Sequence, residues 1–292
     1  MLKAILLMLL SGANWTLIGI LFGRAPEDRE RLYSFFALNG ILYTAFIWLT
    51  DAPAAGVPAG EVLRLAALMV PSALMEVFAF LFLKRAMDHG SQGIAWCVAQ
   101  SAMIVPFVLA VAFLRNPSSV AQWTGLALAL ASLVLFEKDK PTKGTATNDA
   151  TYFRLVFASF ALIGLGGFLR LIPGYAGLSP ETLTWRLPLQ SPVGMVFWTT
   201  TCLAKGIWKP GQIWRHSVPY AITTAFGQIA FYAATDAADA LRITSVVMPV
   251  TTGTCILGFA LWCLFVRRER LSRAGWLAVA FDIAGIALLS SR

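Results

Sequence analysis

Charged residues are scarce in this sequence. Asp, Glu, Lys and Arg account for 13% of its 292 residues, while 58% are hydrophobic. Ordinary soluble domains carry about 25% charged residues. A water-soluble globule of this make-up would expose large apolar patches, so a lipid-facing surface is implied. Histidine occurs only as His89 and His216, both at loop edges. The four cysteines, Cys97, Cys202, Cys255 and Cys263, each sit alone in an apolar run, with no CxxC pair and no Cys/His cluster. That pattern offers neither a zinc site nor a disulfide framework, and no metal or cofactor is expected. A phosphate-binding GxxxxGK-Ser/Thr run is missing, which argues against direct ATP coupling. The alternating stretches of a membrane β-barrel, about ten residues each, are missing too.

Long apolar runs are what the chain has in quantity. A helix crossing lipid needs about 20 mostly apolar residues. Ten segments qualify: 2–22, 32–50, 62–83, 92–114, 119–136, 152–171, 182–204, 217–235, 243–266 and 273–290. Lipid supplies no partner for an unpaired backbone group, so continuous runs of this length read as helices. Leu2–Phe22 has the look of a secretory signal with Lys3 at its start. No small-residue cleavage site precedes a soluble domain, and it reads as the first span. Arg186, Pro188, Gln190 and Pro192 interrupt the seventh segment, and Gln228 the eighth.

The polar stretch Glu137–Thr151 divides the ten spans five and five. It implies a first repeat over 1–136, a connecting loop over 137–151 and a second repeat over 152–292. Gly93–Phe136 and Arg242–Leu289 carry the internal likeness: Ile94 meets Ile243, and Gly125 meets Gly275 after a one-residue gap. Both pass through a long span, a short basic loop, a Trp/Gly pair and a second span. A repeat of five helices is odd, so the second copy enters the membrane from the opposite side. The expected fold is therefore an all-α, polytopic membrane bundle of ten transmembrane helices built from two inverted five-helix repeats, a plan used for alternating access.

The net charge of +8 lies in short loops rather than along a polar face, so it orients the chain and predicts no nucleic-acid partner. The odd-numbered loops hold Arg24, Arg29, Arg31, Lys84, Arg85, Lys138, Lys140, Lys143, Arg154, Lys205, Lys209, Arg215, Arg267, Arg268, Arg270 and Arg273, which is 16 of the 23 Lys and Arg. This bias puts the odd loops in the cytoplasm and both termini outside. The expected location is the cell membrane, of the bacterial inner-membrane kind.

Local motifs add a family resemblance. They are Ala86-Met87-Asp88-His89-Gly90-Ser91 between the third and fourth spans, Gln122-Trp123-Thr124-Gly125 opening the fifth, Leu183-Thr184-Trp185-Arg186 opening the seventh, and Glu269-Arg270-Leu271 before the tenth. With the ten-span plan, the chain resembles the drug/metabolite transporter superfamily, in particular its EamA-like members. It departs from the pattern at Arg115-Asn116-Pro117-Ser118, where the first half lacks a counterpart of the Glu-Arg-Leu loop. The resemblance implies a secondary transporter with a central cavity lined mainly by helices one, three, four, six, eight and nine. Members of the superfamily move amino acids, metabolites, sugars or choline-like compounds.

Ionisable groups inside the membrane are costly and are functional candidates by default. Glu76 lies mid-span in the third segment and is a candidate for the pathway and for proton coupling. Arg170 and Arg186 flank Pro173-Gly174-Tyr175, where either can reach an anionic solute, pair with a buried carboxylate or snorkel to the interface. Asp282 lies mid-span in the last helix, which the resemblance places at the periphery, and reads as structural. Asp236 and Asp239 read as helix-end charges. Asn14 and Trp15 interrupt the first span. Trp96 and Gln100 share a face of the fourth, and Gln228 and Tyr232 a face of the eighth. Amides beside aromatics suit a pocket for an organic solute, and they equally suit helix–helix hydrogen bonding. The predicted substrate-binding set is Glu76, Trp15, Asn14, Trp96, Gln100, Gln228, Tyr232 and Arg170.

These observations point to a carrier of a small organic solute, working in the lipid bilayer as a monomer or homodimer, with protons as one candidate coupling ion. The competing reading is an intramembrane enzyme acting on a lipid or lipid-linked substrate. It requires a nucleophile–base pair or metal cluster, and no Ser/His pair or His cluster occurs within the spans. No enzymatic activity is expected.

Overall fold

The structure, a computed structural model, describes all residues except 90, 91, 139–149, 267–272, 290 and 292. Most of the polar connecting stretch, Gly90 and Ser91 of the first motif, and the Glu269-Arg270-Leu271 motif therefore lie outside the described residues.

The described residues are helical, with short connections and no strand. The helices are α1 (Leu2–Gly23), α2 (Arg29–Thr50), α3 (Ala59–His89), α4 (Gln92–Gln100), α5 (Ile104–Phe113), α6 (Val120–Lys138), α7 (Ala150–Leu171), α8 (Pro180–Leu183), α9 (Arg186–Ala204), α10 (Trp214–Asp239), α11 (Val247–Phe265) and α12 (Arg273–Leu289). Among them α1, α2, α3 and α7 are long and apolar enough to cross a membrane. At about 1.5 Å per residue, the 31 residues of α3 reach beyond a hydrocarbon layer of about 30 Å.

Local chemistry sets several of these ends. The Asp28 side chain accepts the Arg31 N–H at 3.0 Å, capping α2. Ser179 does the same for Thr182 at 3.2 Å, opening α8. Each cap satisfies a donor that the first helical turn leaves without a partner.

Two expected continuous segments are broken. The segment over 92–114 divides at a 3-10 turn, Ser101–Met103, between α4 and α5. Pro106 has no N–H to offer the carbonyl four residues earlier, that of Ala102, and this weakens the ladder at the turn. The segment over 182–204 divides between α8 and α9 around Thr184 and Trp185. Pro188 likewise offers Thr184 no N–H.

The helices pair in a pattern that positions the central cavity. α1 packs on α10 and α11, while α7 packs on α3, α4 and α5. α2 lies against α9 and α10, α3 also against α9, and α6 against α12. Bare glycine surfaces allow the closest crossings. A Cβ on Gly125 would stand 2.7 Å from the Gly285 carbonyl oxygen, and one on Gly285 would stand 2.8 Å from that of Gly125. The Gln122 amide, near the start of α6, donates to the Ser291 carbonyl just past α12 at 3.4 Å. The two helices therefore run antiparallel. Many side chains turned outward are large and apolar, including Leu49, Leu63, Phe113 and Phe265.

Candidate functional site: a cavity between the two sets of helices

A cavity of about 150 Å³ lies where α1, α2, α3, α4, α7, α9, α10 and α11 meet. The expected lining by helices one, three, four, six, eight and nine corresponds to α1, α3, α4/α5, α7, α10 and α11. Helices two and seven, here α2 and α9, contribute as well through Asn39, Tyr43, Gln190 and Trp198.

One end of the cavity is aromatic. The Phe36 and Trp198 rings stack at 4.9 Å between centroids, and Phe22 sits 5.5 Å from Phe80, 6.0 Å from Tyr220 and 6.3 Å from Trp96. Gly19 makes room for this layer: a Cβ there would stand 2.7 Å from the Trp96 ring. Offset and edge-on pairs of this kind are worth about 0.5–1.5 kcal/mol each beyond burial. The layer packs against the C-terminal part of α1 through Gly19 and Phe22.

The other end is polar. The Arg170 guanidinium, buried on α7, donates to the Glu76 carboxylate of α3 and, through Nε, to Ser72 Oγ at 3.1 Å. Ser72 Oγ donates onward to the Gly166 carbonyl at 2.9 Å. The Gln190 amide of α9 donates to the same Glu76 oxygen at 3.0 Å, and the Tyr232 hydroxyl donates to Gln190 Oε1 at 2.8 Å. The Arg186 guanidinium lies 5.2 Å from the centre of the Tyr232 ring and pairs at 2.5 Å with Asp236, whose side chain is 57% exposed. Hydrogen bonds and one cation–ring contact thus link the cavity wall to the exposed Asp236. A buried charge is tolerable only when paired; Arg170 pairs with Glu76 and Arg186 with Asp236, while Arg186 Nε is buried without a hydrogen-bond partner.

The predicted site residues divide. Trp15, Glu76, Trp96, Gln100, Arg170 and Gln228 all line the cavity. Tyr232 stands behind the wall, one hydrogen bond from the lining Gln190. Asn14 is outside the lining. Its amide donates to the Leu10 carbonyl one turn back at 2.9 Å, and its Cβ faces Gly227 of α10. Trp15 stacks on Phe231 at 5.6 Å.

Several lining residues escaped the sequence reading. Asn39 and Ser191 line the wall, and Asn39 Oδ1, Ser191 Oγ and Gln228 Oε1 are buried with no hydrogen-bond partner. Their signal was a polar residue mid-segment, as in Leu38-Asn39-Gly40 and Gln190-Ser191. Gly40 carries part of the placement, since a Cβ there would stand 2.8 Å from Met195 Cα. That closeness brings α2 onto α9 and turns Asn39 toward the cavity. Native proteins leave few buried polar atoms unpaired. Four such atoms, with Trp96 Nε1 as the fourth, belong to residues that line this one cavity.

Three comparisons place the chain among known proteins. No family model matches it. It is 28% identical to "UDP-galactose transporter homolog 1" of Mycosarcoma maydis over 167 residues, 56% of this chain. The match spans 39% of that relative's length. A solved crystal structure superposes with a TM-score of 0.70, covering 98% of this chain and 96% of that one at 15% identity, which shows a shared fold.

Proposed function

We propose that this protein is a secondary transporter that carries a small polar organic solute without net charge across the cell membrane by alternating access. The observation that carries this reading is the set of unpaired polar atoms, Asn39 Oδ1, Trp96 Nε1, Ser191 Oγ and Gln228 Oε1, on residues around an aromatic-walled cavity. The likeness to a UDP-galactose transporter homolog supports the transporter part of this reading.

Charge bookkeeping selects the solute class. Glu76 and Arg170 are the charged residues in the lining, and they pair with one another. The wall is balanced, so a neutral sugar-like or zwitterionic solute enters without creating an unpaired buried charge. A nucleotide sugar brings a diphosphate, for which the cavity keeps no spare cation.

The helix pairing supports two inverted halves of five spans each. Exchange each helix of one half for its counterpart five segments on, with α4 and α5 counted as one. The contact of α1 with α10 then becomes that of α7 with α3, α1 with α11 becomes α7 with α4 and α5, and α2 with α10 becomes α9 with α3. The antiparallel crossing of α6 and α12 fits an inversion. The Lys and Arg bias orients the bundle with both termini outside, and a reporter fused at Arg292 that works only in the cytoplasm would reverse that assignment.

The decisive experiment is uptake into proteoliposomes of labelled galactose, alanine, choline and UDP-galactose. Saturable uptake of galactose or alanine, competed by unlabelled solute, is expected. Uptake of choline or UDP-galactose alone overturns the charge argument. Uptake of none of them overturns carriage of the simple neutral or zwitterionic solutes proposed.

A further inference from the structure

A second carboxyl group lies outside the cavity and its polar chain. Asp282, midway along α12, is fully buried, and neither of its oxygens has a hydrogen-bond partner. It shares the inward face of α12 with Ala278, Val279 and Gly285. From α11 it meets bare backbone: a Cβ on Gly253 would stand 3.7 Å from its Oδ1. Among the described side chains of that helix, Cys255 is the titratable group close enough to feel its charge. On α6, the other helix packed against it, residues 120–135 contain no titratable side chain.

The contrast with Glu76 is chemical. Glu76 meets a guanidinium and an amide, while Asp282 meets no cation and no donor among the described residues. On the neighbouring helices Ser132 bonds to the Ala129 carbonyl at 2.7 Å and Thr252 to the Met248 carbonyl at 2.7 Å. A carboxylate ion sealed from water with no counter-charge is the costliest arrangement a protein interior can hold, and the group neutralises by taking a proton. Ionisable groups so placed in a membrane are candidates for a proton pathway.

We propose that Asp282 is a proton-binding site, neutral in this conformation, and that it releases its proton when α11 and α12 part enough to admit water. Binding converts the carboxylate and a proton to a carboxylic acid, and release reverses it, with no other bond made or broken. Because α11 also borders the cavity through Met248, movement of that helix links proton release to solute movement. This link rests on the transporter reading above. The proton site itself does not.

Infrared spectroscopy of the purified protein at neutral pH tests the site. A carboxylic-acid C=O band that shifts in D2O is expected. It should vanish in Asp282→Asn, persist in Glu76→Gln and move in Asp282→Glu. The Glu variant guards against misfolding, because it keeps the acid and changes only its position. A spectrum with no such band, or a band that Asp282→Asn leaves in place, overturns the site. Proteoliposome uptake of labelled galactose and alanine under an imposed pH gradient tests the link. Coupling of one proton per solute gives about tenfold accumulation per pH unit, lost in Asp282→Asn while solute exchange continues. Equal accumulation in that variant overturns the link. A band without uptake of either solute leaves the site standing and removes the link together with the transport of those solutes.

Discussion

The Arg170 guanidinium on α7 closes on the Glu76 carboxylate on α3, joining two helices and neutralising the polar end of the cavity. Arg170 is buried, whereas the Glu76 side chain is 28% exposed. The arginine therefore depends on its partner more than the glutamate does. Removing one member of a buried pair costs about 3–5 kcal/mol, because the survivor is left uncompensated. Glu76→Gln should lower the thermal midpoint, and Glu76→Gln combined with Arg170→Met should recover much of that loss. Melting curves of the single and double variants in detergent check this. A double variant no more stable than the single one means the charges are not coupled.

Asn39 and Gln228 separate binding from folding. Each keeps a buried oxygen without a protein partner, so an apolar replacement removes a desolvation cost rather than a bond. Asn39→Leu and Gln228→Leu should hold or raise the midpoint while reducing solute uptake at least tenfold. A fall in stability would reveal a structural bond and return these residues to the scaffold.

Gly19 tests the aromatic layer. A methyl there meets the Trp96 ring at 2.7 Å, and the easiest escape for the ring is into the cavity it lines. Gly19→Ala should block uptake by filling that space, with a loss of about 1–3 kcal/mol from overpacking. Uptake equal to wild type would show that the ring moves elsewhere.

Asp51, just past the end of α2, gives a pH signature. Burial and the negative charge of Asp236 raise its pKa above the ordinary carboxylate value, and Arg186 opposes them. The folded protein thus holds that proton more tightly than the unfolded chain. Asp51 consequently favours folding at acid pH, and this contribution is lost as pH rises from the ordinary carboxylate value through the raised one. Asp51→Asn should be more stable than wild type at neutral pH, with the two converging on acidification. Parallel stability–pH profiles would exclude the group as a source of the effect.

The helical class of the bundle was legible in the residues because it depends on short-range chemistry. Ten long runs were too apolar and too continuous for strands, and the observed helices begin and end within a few residues of most of them, as α1 (Leu2–Gly23) and α7 (Ala150–Leu171) show. The breaks at Ser101–Met103 and Thr184–Trp185 carried a local signal as well, in Pro106 and Pro188. The rotation of each helix was not legible. In a soluble bundle the apolar stripe marks the core. In lipid the outward face is as apolar as the packed one, so α1 offers no stripe by which to tell Trp15, which lines the cavity, from Asn14, which does not. Asn39 and Ser191 were hidden for the same reason, and Tyr232 gave no sign that Gln190 stands between it and the cavity. Polar residues in the spans announced that something must be paired. Only the packing of α3, α7 and α9 decided that Glu76 meets Arg170 and Gln190, while Asp282, on a helix that meets bare backbone, has no such partner among the described residues.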